Sequence, residues 1–274
     1  MDRRTQTLVA AWLATQRSDN TRDAYERDVH AFARWCASHG TRFLDARADD
    51  LDHYRDESLA AGASAATVVR RLSGIASFFR YAAGAGAVDD NPADDVERPD
   101  PDPAATAALD DAEVAAMLGA ADALGPKTAA LIALLALDGM RLGEVLAIDV
   151  PGVHVDGDTV SVEVRRRGER GRVAVADRTA GAVAAYVARR RRGPLFLGER
   201  PTAPEPTRLS RFGADFLIKR AAAAAGIAKP VSANVLRRSY VEAAHRAGTP
   251  LAAIARHVGH KEARETARML EHQR

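Results

Sequence analysis

A stretch rich in proline and aspartate, without hydrophobic periodicity, interrupts the chain between Asp89 and Asp110. Segments of this composition stay extended and exposed, because they carry too few apolar residues to build a core. The chain has 274 residues, which is long enough for two domains of ordinary size. We therefore predict a first domain over 1–90, a linker over 91–109 and a second domain over 110–274.

The first domain is predicted to be a small bundle of four helices. Thr5 to Thr15 is amphipathic, and a longer helix follows Asn20-Thr21 and ends at Gly40. A third helix is expected to open at Asp49-Asp50 and a fourth at Ser64. Aromatic residues recur at helical spacing in these segments, and we interpret them as core.

The second domain combines helices with a short region of alternating hydrophobicity. Asp110 stands three residues before Glu113, which predicts a capping box at a helix start. Apolar residues alternate between Val153 and Val175, with turns at Asp156-Gly157 and Gly168–Gly171. The predicted fold is therefore mainly α with one small three-stranded antiparallel sheet, giving an α+β second domain.

Composition excludes several classes of protein. No apolar run reaches the roughly 18–20 residues that cross a bilayer, and the start of the chain does not resemble a signal peptide. The lone Cys36 excludes an internal disulfide and a cysteine-based zinc site, and it is interpreted as a core residue. The eight histidines show no metal-ligand spacing. We expect a cytoplasmic protein without a metal site built on histidine or cysteine.

Three short motifs in the second domain carry the chemical information. The first motif surrounds an arginine that follows a buried helix. The other two lie in the closing stretch from Val231 to Leu270, whose pattern predicts three helices. The motifs are Gly139-Met140-Arg141-Leu142-Gly143-Glu144, Leu236-Arg237 and Val258-Gly259-His260. Their order and settings resemble the catalytic domain of the tyrosine recombinases, the phage-integrase family. Residues Thr21–Cys36 and Thr67–Pro92 resemble that family's core-binding domain, so the resemblance covers essentially the whole chain.

The resemblance implies that the residues that hold a DNA phosphate are retained. Arg141 and Arg237 match the family's two arginines, and His260 matches its phosphate-donating histidine. Guanidinium groups suit this role because they are planar, bidentate and always charged. Each residue alone is more simply an ordinary surface arginine or core histidine. All three in register favour the phosphate site.

The same comparison implies that three other functional positions are substituted. The family's nucleophilic tyrosine falls at Met269, nine residues after His260, and Thr266 is the only nearby hydroxyl, interpreted as a helix-surface residue. The family's hairpin lysine corresponds to Arg167 by register, and a guanidinium with a pKa above ~12 is a poor proton donor. The histidine three residues before the second arginine is replaced by Asn234, whose amide carries no titratable proton.

Basic residues cluster in the predicted hairpin. The formal charge is −4 over 1–100 and +6 over 101–274. Of the 39 basic residues 35 are arginine, and a GC-rich genome explains this overall preference for arginine over lysine. Charge runs are usually solvated, but beside a phosphate site we favour contact with DNA backbone. The candidate DNA contacts in the hairpin are Arg165, Arg166, Arg170 and Arg172, and those in the first domain are Arg70 and Arg71.

Three interpretations of function follow. The first is a recombinase-like protein that grips duplex DNA but lacks strand cleavage, alone or in a homo- or hetero-oligomer on DNA. The second is an active site-specific recombinase whose nucleophile is another residue or comes from another chain. The third is a non-DNA interaction module on the same fold. The resemblance implies double-stranded DNA as partner and no cofactor.

Overall fold

The structure is a computed structural model that divides into two compact units, Met1–Asp102 and Pro103–Arg274. Each unit has a hydrophobic core of its own. The described residues are 1–16, 18–100, 107–166, 168–198 and 207–271. Among them, no helix is both long enough and apolar enough to span a bilayer.

The first unit contains the predicted bundle of four helices. Their bounds are Arg3–Ala14 (α1), Asp19–Ser38 (α2), Ala48–Ala60 (α3) and Ala65–Gly84 (α4). The Ser64 hydroxyl caps α4 by accepting from the Thr67 backbone N–H at 3.2 Å, which confirms the predicted start of this helix. Trp12, Phe32 and Phe78 are fully buried between the helices, as the aromatic spacing predicted.

Four apolar residues within the predicted linker, 91–109, are buried. Ala93 and Val96 are buried in the first core, and Ala108 and Leu109 are buried in the second unit. Isolated apolar residues in a segment rich in proline and aspartate show no period. Their burial therefore gives no local signal in the sequence.

The second unit is mainly helical around one small sheet, which confirms the predicted fold class. Its helices are Asp111–Ala123 (α5), Pro126–Ala136 (α6), Leu142–Ala147 (α7), Asp177–Val187 (α8), Arg211–Ala224 (α9), Ala233–Arg246 (α10), Leu251–Val258 (α11) and Ala263–Glu271 (α12). The predicted capping box is present, with the Asp110 carboxylate accepting from the Glu113 N–H and the Glu113 carboxylate from the Asp110 N–H.

The sheet has the order β1-β2-β3, and both pairings are antiparallel. Its strands are Val153–Asp156 (β1), Thr159–Arg166 (β2) and Glu169–Ala174 (β3). Along β2, Val162 and Val164 are buried, whereas Arg165 is exposed. Because side chains alternate between faces, Arg166 lies on the same face as the two valines.

Helix α6 forms the centre of the second core. Every residue from Thr128 to Ala136 is buried, and α6 packs against α5, α8, α9 and α10. A separate small cluster joins α10 and α11 to α12 through Val241, Ile254 and Val258. Because α6 is buried on all sides, the segment that follows it, which contains the first arginine motif, begins at a fixed position.

Candidate functional site

Arg237 is a buried arginine on α10, with 4 % of its surface exposed. Its guanidinium donates to the backbone oxygen of Gly139 at 2.5 Å and to that of Val258 at 2.7 Å. Burial, followed by the charge of Arg141, lowers the pKa of Arg237 to about 10. The side chain therefore stays charged at neutral pH, and it joins the end of α11 to the loop after α6.

The loop after α6 needs glycine at position 139. Gly139 has a φ of +57°, and a Cβ there would lie 2.3 Å from the Tyr240 ring. Just before it, the Asp138 Oδ1 accepts from the Ala176 N–H at 2.7 Å, and burial raises the pKa of this carboxyl to about 6. The loop is thus fixed from both sides, and it delivers Arg141 to the start of α7.

Glu144 links two arginines. Its Oε1 accepts from Arg141 Nη1 at 3.1 Å and from Arg166 Nε at 3.0 Å. The Glu144 side chain is 6 % exposed, the Arg166 side chain 20 % and the Arg141 side chain 43 %. Burial favours a high pKa for Glu144, but the hydrogen bond and charge of Arg166 outweigh it, so the pKa lies below its usual value. Of the two arginines that Glu144 binds, Arg141 has the more accessible guanidinium.

Successive carbonyls at the end of α11 accept hydrogen bonds from the three arginines. Arg166 binds the oxygen of His257 at 2.8 Å, Arg237 binds that of Val258, and Arg141 binds that of Gly259 at 3.0 Å. A helix ends with unpaired carbonyls and the negative end of its dipole, so cations stabilise it there. The three arginines therefore fix the position of α11.

Gly259 ends α11 in a left-handed conformation, with φ +73°. A Cβ at this position would lie 2.7 Å from the Arg166 Nε. Both the backbone conformation and the close guanidinium require glycine in the motif before His260.

His260 is bound to α12. Its Nδ1 lies 2.8 Å from the Thr266 hydroxyl, and Thr266 is fully buried. Burial lowers the pKa of His260 to about 4, with smaller contributions from Arg237 and Arg141. The imidazole is therefore neutral at pH 7. The expectation that Thr266 lies on a helix surface is wrong, because α12 turns this residue toward the histidine.

A cavity of about 750 Å³ brings these elements together. Its cationic lining residues are Arg141, Arg165, Arg166, Arg211, Arg237 and Lys261, and its acidic ones are Glu144 and Glu265. The excess of cations suits an anion with several oxygens, such as a phosphate diester. Arg211 and Lys261 were not identified from the sequence, since neither lies in a recognised motif.

The three substituted positions have different surroundings. Asn234 lines the cavity. Met269 is half-buried and packs against the apolar cluster of Val241, Ile254 and Val258. Arg167 lies outside the described residues.

The hairpin arginines do not share one surface. Arg165 and Arg170 are exposed and pair directly across β2 and β3. Arg172 is exposed and lies 3.7 Å from the Asp156 carboxylate. Arg166 faces inward and is bound to Glu144. The alternation that begins with Val162 and Val164 is the signal that separates Arg166 from the others.

Arg70 and Arg71 lie together on α4 of the first unit. Arg70 forms an ion pair with the buried Asp28, and Arg71 donates to the Ser58 hydroxyl at 3.4 Å. They line a cavity of about 510 Å³ whose other charged or titratable residues are Glu26, Arg27, Asp28, His30 and Arg34. This unit therefore carries a separate basic surface.

Two family profiles match the chain. The profile described as "Phage integrase, N-terminal SAM-like domain" matches residues 9–86, and the one described as "Phage integrase family" matches residues 107–274. Similar curated proteins include tyrosine recombinase XerD of Pseudomonas aeruginosa, 27% identical over 93% of this chain and 87% of the relative. Tyrosine recombinase XerC of Rhodospirillum centenum is 31% identical over 91% of this chain and 77% of the relative.

Solved structures share the fold. A lambda integrase dimer bound to a COC' core site superposes with a TM-score of 0.74 at 15% identity, covering 98% of this chain and 77% of that one. The Tn1549 transposon integrase in complex with circular intermediate DNA gives a TM-score of 0.70 at 15% identity, covering 96% of this chain and 94% of that one.

Proposed function

The chain belongs to the phage integrase family, and from this premise we propose that it binds duplex DNA without cutting it. A backbone phosphate occupies the cavity around Arg141 and Arg237, and the exposed hairpin arginines contact neighbouring phosphates. The first unit, through the surface of Arg70 and Arg71, supplies a second set of contacts.

The composition of the cavity supports the binding role. Six cationic side chains line it against two carboxylates, and one of these, Glu144, is already neutralised by two arginines. The half-exposed Arg141 guanidinium lines the cavity and the neutral His260 stands between the lining residues Gly259 and Lys261, so both remain as donors toward a phosphate oxygen. Phosphate contacts of this kind position a protein on DNA without reading its sequence.

The environment of Met269 carries the proposal that cleavage is lost. Strand transfer needs a nucleophilic oxygen, and a thioether in an apolar cluster provides none. Asn234 cannot exchange a proton at the cavity, and a guanidinium at position 167 keeps its proton near neutrality. Binding groups are retained, whereas the nucleophile and both proton carriers are replaced.

Assembly on DNA is part of the proposal. The lambda integrase neighbours were solved as a dimer on a core site and as a tetramer on a Holliday junction. A chain that binds DNA without cutting it would occupy a site, or join an active recombinase as a silent member of a mixed oligomer.

Fluorescence anisotropy with a pool of random duplexes tests the binding role. We expect the logarithm of the association constant of the full chain to fall linearly with the logarithm of the salt concentration between about 50 and 300 mM. Arg141→Ala should weaken binding to all sequences and reduce the salt slope by about one. Arg141 is preferred to Arg237 for this test, because Arg237 holds two backbone carbonyls and its loss would disturb the fold.

Arg178→Ala is the matched control. Arg178 is a half-exposed arginine on α8 that pairs with Asp122 at 2.8 Å and lines none of the basic cavities described above. Its loss should leave DNA binding unchanged. No salt-sensitive binding by the wild type would favour the non-DNA interaction module. A DNA adduct that survives denaturation would favour a working recombinase with another nucleophile.

A further inference from the structure

Two phenylalanines of the second unit are exposed, whereas the other phenylalanines of the chain are buried. Of the seven phenylalanines, five are at most 6 % exposed, whereas Phe212 is 84 % exposed and Phe216 is 57 % exposed. The pair lies one turn apart on α9, so the two rings are neighbours on one helix face. Two adjacent exposed aromatic rings are a feature of binding surfaces.

The groove beside these rings is basic. It has a volume of about 470 Å³, and its charged lining residues are Lys127, Arg220 and Arg208, the last of which is paired with Asp149 at 2.5 Å. No acidic residue lines it among the described parts of the chain. The one acidic residue of α9, Asp215, is paired with Lys219 at 2.8 Å. An apolar pair framed by cations is complementary to a polyanion that carries apolar groups.

Helix α9 connects this groove to the arginine cavity. Arg211 lines the cavity that contains Arg141 and Arg237, and the next residue, Phe212, lines the groove. Helix α9 also packs against α7, which begins immediately after Arg141. A duplex whose phosphate occupies the cavity would therefore lie next to the N-terminal end of α9, where Phe212 follows Arg211.

We propose that Phe212 and Phe216 form an apolar surface that recognises thymine methyl groups in the major groove of bound DNA. The inference rests on the proposed DNA binding and adds sequence preference to it. The C5 methyl of thymine is the apolar group that the major groove presents, and phenylalanine is among the side chains that contact it. An α-helix about 10–12 Å across fits that groove, which is about 12 Å wide.

Selection from the random pool, followed by removal of the methyl groups, tests this directly. Sites enriched by the wild-type full chain are synthesised with thymine and with deoxyuridine, which differ only in the C5 methyl. We expect wild-type affinity to fall about fourfold for each contacted methyl that is removed. The Phe212→Ala/Phe216→Ala variant should bind both duplexes equally, while its salt slope stays that of the wild type.

The control variant is Val155→Ala. Val155 is 69 % exposed on β1 and lies outside the groove, so its loss should leave the discrimination between thymine and deoxyuridine intact. All three proteins should melt at the same temperature, because the substituted side chains are exposed.

Several outcomes would overturn the inference while leaving the proposed DNA binding in place. They are enrichment of sites without a thymine preference, equal wild-type binding of the thymine and deoxyuridine duplexes, and retained discrimination in the double phenylalanine variant. A change in the sedimentation of the DNA-free double variant, with its thymine discrimination intact, would instead assign the pair to a protein interface. Failure of the wild type to bind any duplex would remove both proposals.

Discussion

The Nδ1 of His260 lies 2.8 Å from the hydroxyl of Thr266, a fully buried residue one helix further along the chain. This contact ties the histidine between the cavity-lining residues Gly259 and Lys261 to α12, the helix that carries Met269. With its pKa lowered to about 4 by burial, the imidazole is neutral near pH 7. Its Nδ1 is engaged within the protein, so Nε2 is the nitrogen left for a phosphate oxygen.

Replacing Thr266 with valine removes that hydrogen bond and keeps the side-chain shape. We expect the free energy of unfolding in urea to fall by about 1–2 kcal/mol, since the partly buried imidazole loses its hydrogen bond to the buried Thr266 hydroxyl. DNA affinity should fall by less than it does in Arg141→Ala, because the phosphate keeps its guanidinium contact. Thr159→Val, at an exposed position of β2, is the control. Equal stability of Thr266→Val and wild type would contradict this role.

Replacing Glu144 with glutamine removes the charge that Arg141 and Arg166 share. We expect unfolding to become easier by about 3 kcal/mol at pH 7, because a buried ion pair loses one partner. The pKa of Glu144 lies below its ordinary value of 4.5, so its carboxylate stabilises the fold fully above that pH. This stabilisation is lost as the pH falls through the lower, folded-state pKa.

Urea titrations of the wild type and the Glu144 variant at several pH values measure this difference. The gap between the two proteins should be constant from pH 5 to 8 and should shrink below about 4.5. A gap that grows on acidification would show that the carboxylate is not the stabilising form.

Reversing the charge of Arg165 should separate stability from binding. Arg165 and Arg170 are directly opposed across the hairpin, and like charges at such positions destabilise a sheet. Arg165→Glu should therefore stabilise the fold by about 0.5 kcal/mol while weakening DNA binding for all sequences and flattening its salt slope. Thermal melting and anisotropy measure the two effects. An unchanged affinity for DNA would show that the exposed face of the hairpin does not contact the DNA.

The raised pKa of Asp138 predicts that its contribution to stability depends on pH in the direction opposite to that of Glu144. Burial raises its pKa to about 6, so the folded state holds this proton more tightly than the unfolded chain does. Its contribution to stability therefore increases as the pH falls from about 7 to 4. The stability of wild type relative to Asp138→Asn should rise over this range by about 2–3 kcal/mol. A flat difference in urea titrations would contradict the raised pKa.

Restoring a tyrosine at position 269 should not restore cleavage. In Met269→Tyr the new hydroxyl enters an environment built around Val241, Ile254 and Val258, and Asn234 still lacks a proton to exchange. We expect no more covalent DNA adduct than in Met269→Phe, which has the same ring without the hydroxyl. A robust adduct with the tyrosine variant alone would disprove the account of three separate losses.

Periodicity in the sequence was sufficient to predict the helices and the sheet. For Arg166 the alternation that begins at Val162 indicates an inward side chain, whereas the run of basic residues indicates a solvated face, and neither pattern identifies the partner of Arg166. Its partner Glu144 lies 22 residues earlier, and only the packing of α7 against β2 brings the two together.

Buried polar residues were the least predictable part of the site. Thr266 stands in a helix with charged neighbours, and its burial depends on how α12 packs against α10 and α11. The exposure of Phe212 and Phe216 could not be predicted either, because aromatic residues at helical spacing are expected in a core. Motif matching identified Arg141, Arg237 and His260, but Arg211 and Lys261 reach the same cavity from segments without a motif.

The most direct test of the account compares a native and a denaturing gel of the same samples. The full chain is incubated with a labelled duplex that it binds, at saturating concentration, and each sample is divided between the two gels. We predict a complete shift on the native gel and no labelled protein band after denaturation. A labelled band that survives denaturation would show strand cleavage through a covalent intermediate and contradict the central claim.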